Sequence, residues 1–224
     1  MTDPLRMTDP RAQLVGEGYD AIGERFEAWR DAIVDASRGR WLEELTSRLF
    51  EGARVLELGC GSGTAETGIL AERFRVTGVD VSAAQIRRAR VNVPQARFVH
   101  ADLTTLELPS SSFEAVTSFY AFNHVPRELL PTVFERIHGW LTREGYFLVS
   151  LGASDTPEWT GEWLGATMFF SAYPPETNRR LLAEAGFASR LDEVVGVDEP
   201  QGHLSFHWVL AQKSAPTDAD SETI

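Results

Sequence analysis

An alternation limits how this chain can fold more than any other feature. Apolar runs of strand length occupy 54–59 (RVLELG), 75–80 (RVTGVD), 96–102 (ARFVHAD), 113–121 (FEAVTSFYA) and 145–152 (GYFLVSLG). Helical apolar spacing fills 64–72, then 82–89 with Ser82 as its cap, then 128–141. Strands that alternate with helices build a mostly parallel sheet with helices on both faces. Two further helices are expected ahead of the first strand. One covers 18–36, with Ile22, Phe26, Trp29 and Ile33 at helical spacing; the other covers 41–50 and ends at Gly52. A helix over 176–185 stops at Gly186. The last two apolar runs, 189–197 and 203–212, have no helix between them and read as antiparallel neighbours. The expectation is an α/β fold, a doubly wound α/β/α sandwich whose ligand lies beyond the carboxyl ends of its strands.

The first strand runs into three glycines at every second position, Gly59, Gly61 and Gly63, within VLELGCGSGT. A dinucleotide fingerprint needs its third glycine three residues after the second, where this chain has Thr64. A phosphate-cradling loop needs a lysine, and the stretch has none. Both phosphate readings weaken together. Three carboxylates sharpen the choice. Glu57 lies inside the strand, where a charge needs a cation or hydrogen bonds; a bound cation would serve, and neutralisation by a neighbour such as Arg54 is the alternative. Asp80 ends the second strand, placed to accept both hydroxyls of a ribose. Asp102 ends the third, placed for the exocyclic amine of a base. Together they ask for an amine, a ribose and an adenine, with no phosphate.

Four stretches in order, VLELGCGSG, VTGVDVS, FVHADL and FEAVTSFYAFNHV, resemble the four motifs of class I S-adenosylmethionine-dependent methyltransferases. The resemblance covers roughly residues 54–149 and extends to the closing strand pair. It implies a Rossmann-like sheet and S-adenosylmethionine as cofactor, with Glu57, Gly59, Cys60, Gly61 and Gly63 against its methionine part. It further implies Asp80 at the ribose, Val81, Gln85 and Leu103 flanking the adenine, Asp102 on its amine, and Ala101 and Phe119 alongside. Cys60 reads as a small residue that fits the loop and not as a nucleophile.

The methyl acceptor is less legible. Tyr120, Asn123 and His124 follow the fourth strand, close to the expected methyl group, and His124 is the best base because imidazole exchanges protons near neutral pH. A helix-capping or backbone-bonded histidine is the alternative. Tyr19, at the start of the first helix, is placed to lie over the cofactor and is a third catalytic candidate. Phe26 and Trp29 either line the pocket or pack below it, and Glu17 is a candidate for a substrate cation. The insert 154–175 reads as a long loop rich in aromatic residues, and long loops are often functional. Its Trp159, Trp163, Met168 and Tyr173 are expected on the substrate side, with Asn123 and His207, as a pliable apolar wall. Neither the aromatic-proline motif of nucleobase amino-methyltransferases nor the paired glutamates of protein arginine methyltransferases is present. The expected substrate is a small, aromatic or heterocyclic molecule, with the acceptor atom open. His203 and His207 lie on a strand, where four residues separate them by about 13 Å, so they cannot share a metal, and no metal is expected.

Composition sets the partners. The chain has 224 residues and a net charge of −12. That disfavours nucleic-acid phosphates and anionic membrane surfaces. One cysteine excludes an internal disulfide, and the apolar runs are too short to span a bilayer. No apolar core of a signal peptide stands near the start. The expectation is a soluble, cytoplasmic monomer or homodimer with a small-molecule substrate. It has a disordered arm over 1–13, carrying a repeated MTDP, one domain over 14–213, and a disordered tail over 214–224. Within the domain, 14–50 form a helical cap and 152–175 a substrate-cap insert. Two other functions stay open. One is a non-catalytic cofactor-binding module whose aromatic insert is an interface. The other is a NAD-dependent oxidoreductase, which Thr64 and the lack of a Tyr-x-x-x-Lys pair disfavour.

Overall fold

The computed structural model describes residues 9–33, 37–200 and 202–214. Five parallel strands come first: β1 (Arg54–Leu58), β2 (Arg75–Asp80), β3 (Arg97–His100), β4 (Phe113–Ser118) and β5 (Leu141–Gly152). β6 (Thr156–Trp163) and β7 (Ala166–Ala172) form a separate two-stranded sheet. β8 (Phe187–Glu199) and β9 (Gly202–Lys213) complete the main sheet in the order β3-β2-β1-β4-β5-β9-β8. β9 runs antiparallel to both β5 and β8. The chain moves outward from β1 to β3, then returns to lay β4 beside β1. That reversal opens a crevice at the strand ends.

Alternation along each strand divides the core. Val55 joins Trp41, Leu45 and Leu70 on one face, while Leu56 and Leu58 join Phe134, Ile137 and Phe147 on the other. The first face is covered by α3 (Ser37–Thr46) and α4 (Ala65–Arg73), the second by α6 (Leu130–Trp140) and α7 (Pro175–Glu184). Trp41 and Trp208 stack with centroids 5.7 Å apart. α5 (Ala83–Asn92) follows β2, and the Ser82 hydroxyl caps it by accepting the Gln85 amide at 3.1 Å. α7 ends at Gly186, whose φ of +89° suits a residue without Cβ.

Three expectations are corrected. The helix expected over 18–36 is two in its described part, α1 (Pro10–Ile22) and α2 (Glu24–Asp31), broken at Gly23 with φ +60°, and 34–36 lie outside the described residues. α1 also begins inside the stretch expected to be disordered. Asp9 accepts the Arg11 amide at 2.8 Å, Pro10 opens the first turn, and Arg11 bridges Asp9 and Glu128. Residues 1–8 and 215–224 lie outside the described residues. Lastly, the insert expected as a loop is the β6–β7 hairpin. Its turn is Leu164 and Gly165, with φ of +51° and +75°, so both central residues are left-handed, as a tight hairpin requires.

Among the described residues no helix is long and apolar enough to cross a membrane.

Candidate functional site

A cavity of about 430 Å³ opens at the carboxyl ends of β1 to β4. Its floor is the glycine turn and the residues ending β2, β3 and β4. α1, α2, the β6–β7 hairpin and the tip of the β8–β9 pair roof it.

The glycine turn is held from below. Gly59 and Cys60 both donate to the Val79 carbonyl, at 2.8 and 3.1 Å. Gly61, at φ +54°, donates to Asp80 Oδ2 at 2.8 Å, and a Cβ there would meet nothing within 4 Å. The turn is therefore a shallow cradle with free space above its second glycine. Asp80 Oδ1 accepts the Ser82 amide at 2.9 Å, so one carboxylate ties the turn to the start of α5. Each oxygen keeps a lone pair for a ligand. Burial pushes the Asp80 carboxyl upward against those two bonds. Asp20 on α1 joins the same corner, accepting from the Ser82 hydroxyl at 2.5 Å and the Ala84 amide at 2.9 Å.

Four carboxylate or carboxamide side chains that line this cavity have buried polar atoms with no hydrogen-bond partner: Glu57, Gln85, Asp102 and Asn123. Such atoms cost free energy unless something binds them. Glu57 is 2 % exposed, with Oε2 unpartnered. Burial pushes its pKa up to about 8, with a lesser opposing bond from Thr67. Arg54 does not neutralise it, because its guanidinium grips Glu114 at 2.6 Å. Asp102 Oδ1 accepts from the Thr104 amide and hydroxyl at 2.8 and 2.7 Å, and Oδ2 is left over. Both amide atoms of Gln85 are unpartnered, as is Asn123 Oδ1. A ligand with an ammonium, a hydroxylated ring and an amine-bearing base satisfies this series. The residues present therefore fit an adenosylated amino acid.

At the other end Tyr19 and His124 meet. The His124 Nδ1 hydrogen can only be donated to the Phe169 carbonyl, 2.9 Å away. The neutral ring therefore keeps Nε2 as an acceptor, and the Tyr19 hydroxyl donates to it at 2.8 Å. Burial lowers the His124 pKa to about 4, with the Phe169 bond opposing, and burial raises that of Tyr19 above its usual value. Aromatic rings surround the pair: Phe26 and Trp163 lie 5.1 and 6.2 Å from Tyr19, and Phe170 lies 4.5 Å from His124.

The cavity thus brings together Tyr19, Glu57, Gly59, Gly61, Asp80, Val81, Gln85, Ala101, Asp102, Leu103, Phe119, Tyr120, Asn123, His124, Trp159 and Trp163, with Phe26 and Trp29. Tyr120 takes a left-handed φ of +62° and packs edge-on to Phe206 at 4.5 Å, beneath Arg38. Five expected residues lie elsewhere. Cys60 points into the core with Ile86 and Ala89. Gly63 permits close packing, since a Cβ there would meet Ala89 and Val93 at 3.1–3.4 Å. Met168 is buried under α1, where Gly18 leaves room for its sulfur. The ring of Tyr173 packs under Arg127. His207 faces away from the cavity, its Nε2 3.1 Å from Asp192 Oδ1. Glu17, the candidate for a substrate cation, is also outside the cavity, exposed and accepting from Gln13. Phe170 of the aromatic insert lines the cavity too, and Arg30, Arg38, Thr64, Glu199 and Phe206 line it unanticipated. For the last two, period-two alternation along the closing strands was an available signal. Among the described residues no three His, Cys, Asp or Glu side chains converge as a metal site.

Positions 55–145 match the family model of the methyltransferase domain. An uncharacterized methyltransferase of Mycobacterium bovis is 37% identical over 97 residues, 42% of this chain and 48% of the relative. The malonyl-[acyl-carrier protein] O-methyltransferase of Halorhodospira halophila is 33% identical over 159 residues, 66% of this chain and 52% of the relative. The chain spans about half the length of the curated relatives it matches. Among solved structures, a Burkholderia thailandensis 1,6-didemethyltoxoflavin-N1-methyltransferase with bound 1,6-didemethyltoxoflavin and S-adenosylhomocysteine superposes with a TM-score of 0.66 at 23% identity. That match covers 92% of this chain and 88% of the other.

Proposed function

Because the chain carries a class I S-adenosylmethionine-dependent methyltransferase domain, we propose that it transfers a methyl group from S-adenosylmethionine to a small aromatic or heterocyclic molecule. The observation that carries this is the row of four unpartnered polar groups above the glycine cradle. Glu57 would hold the ammonium of the methionine part, Gly59 and Gly61 would lie against its backbone, and Asp80 would hold the ribose. Gln85 and Asp102 would hold the adenine edge, between Val81 and Leu103. When bound, the cofactor supplies a methyl on a positively charged sulfur, which needs an aligned nucleophile and little else.

The chain's own contribution is alignment, exclusion of water and a place for a proton. Phe26, Trp29, Trp159, Trp163, Phe170 and Phe206 form walls suited to a planar ring. The Tyr19 oxygen, with its hydrogen committed to His124 Nε2, can accept a hydrogen from the acceptor group. As that group gains the methyl it becomes strongly acidic. Its proton then passes to the Tyr19 oxygen while the Tyr19 proton passes to His124 Nε2. A base with a pKa near 4 suffices for so acidic a donor, and it stays unprotonated at neutral pH. An amine acceptor that keeps its proton needs only the alignment.

The test is calorimetric titration with S-adenosylmethionine and with NAD, on wild type and Asp80→Ala, followed by methyl transfer to a panel of aromatic metabolites. Saturable binding of the first ligand alone, weakened in the variant, is expected. Preference for NAD overturns the reading. Cofactor binding without turnover on any acceptor favours the binding-module alternative.

A further inference from the structure

The tip of the β8–β9 pair adds to the roof a feature that the cofactor does not need. Val197 and Glu199 share one face of β8 by alternation, and both line the cavity with Leu204 and Phe206 of β9. Asp198, between them, faces outward and meets His203 Nδ1 at 2.6 Å. Glu199 is therefore a lone carboxylate in an apolar stripe. It is half-buried, and no described residue donates a hydrogen bond or ion pair to it. Burial moves its carboxyl upward, and its charge acts on Tyr19. A carboxylate so placed has lost part of its hydration, which a donor on a ligand would replace. Asn123 Oδ1 lines the same cavity, also without a donor. Of the two arginines in the cavity wall, Arg38 lies over the Tyr120 ring and opposes the rise at Glu57, and Arg30 has an interaction of its own while its buried Nη1 makes no hydrogen bond.

Resting on the methyltransferase reading, we infer that Glu199 is a specificity-determining residue. With Asn123 Oδ1 it selects a planar substrate bearing nitrogen-bound hydrogen, such as an amine, an amidine or a ring N–H, over one bearing a carboxylate. The aromatic walls take the ring, and the two acceptors take the N–H groups at its edge. A carboxylate substrate would bring like charge against Glu199 and leave Asn123 Oδ1 unpaired.

The test uses protein saturated with S-adenosylhomocysteine and three probes built on one ring system: 4-aminoquinoline, 4-methylquinoline and quinoline-4-carboxylate. Wild type is expected to bind the amine about tenfold or more tightly than the carboxylate. Glu199→Gln is expected to bring the two within about threefold, with unchanged affinity for S-adenosylhomocysteine, and Glu199→Lys to reverse the order. The inference is overturned if wild type binds the carboxylate equally well, if it does not bind the amine, or if the preference survives in Glu199→Gln. In each case retained S-adenosylhomocysteine binding leaves the methyltransferase reading standing. Loss of that binding in wild type removes both.

Discussion

Glu57→Gln is expected to stabilise the protein without ligand while weakening its grip on the cofactor. The folded chain raises the Glu57 pKa from 4.5 to about 8 by burying the carboxyl. A group that binds its proton more tightly when folded gives stability that is complete below 4.5 and lost as pH rises through 8. The useful window is pH 6.5–8. Below it the histidines intervene: burial depresses His124, His138 and His207, so their contributions hold above 6.5 and fade as pH falls. Above it Cys60 begins to matter, from its ordinary value of 9.0 upward. Across the window Glu57 alone costs about 1.4 kcal/mol per pH unit, or about 2 kcal/mol. For a chain of this size that is a fall of about 4–8 °C in melting temperature. Glutamine keeps the shape and has no charge to desolvate, so its curve lacks this slope. The difference between the two curves isolates Glu57 from the other raised carboxyls. The assay is thermal melting of both proteins in matched buffers across the window. Adding S-adenosylhomocysteine at saturation should flatten the wild-type curve, since an ammonium facing Glu57 holds it ionised. Parallel curves without ligand, or a Glu57→Gln protein less stable than wild type at pH 8, would refute the reasoning.

Four other outcomes follow from the geometry. Tyr19→Phe removes the hydroxyl that donates to His124 and is proposed to take the acceptor's proton, so kcat should fall about a hundredfold with S-adenosylhomocysteine affinity within about threefold; equal losses in both would make Tyr19 a packing residue. Since His124 stays neutral down to about 4, the pH profile of kcat should show no limb at 6.5, and a limb there that disappears in His124→Gln contradicts the assignment. Gly59→Ala puts a Cβ 2.2 Å from that of Ala121 at a φ of +72°, which should cost about 1–3 kcal/mol in melting experiments; an unchanged melting temperature would show that the turn yields. Asp20→Ala removes an acceptor shared by the Ser82 hydroxyl and the Ala84 amide, for about 1 kcal/mol and a looser roof, read as lower melting temperature and faster amide exchange in α1.

What the sequence revealed depended on how locally each feature is encoded. β2 matches its apolar run residue for residue, because Arg75 and Asp80 bound it with polar groups. The cap at Ser82 and the stop at Gly186 are single-residue signals and were equally plain. The β6–β7 hairpin was not. Its first strand, TPEWTGEW, carries a proline and a glycine and few β-branched residues, and the turn is Leu-Gly where Asn-Gly is the usual mark. α1 was hidden by composition, although Asp9 followed by Pro10 is a helix start. The residues proposed for the cofactor were legible as neighbours because strand ends and a glycine turn converge by topology. The substrate side was less so. Whether Met168 or His207 faces the cavity or the core depends on a strand register fixed only by tertiary pairing. Met168 instead fills the space beside Gly18, and His207 turns to Asp192.

The β6–β7 hairpin pairs only with itself, in a sheet separate from the seven strands that carry the glycine turn. It is spliced between β5 and α7, so its ends are anchored while its length is not. In descent, such a segment can be lengthened, shortened or replaced without re-registering any strand beneath it. A lineage could acquire a new substrate by revising residues 156–172 while inheriting the floor intact. Relatives that share the matched stretch 55–145 are therefore expected to diverge most in this segment.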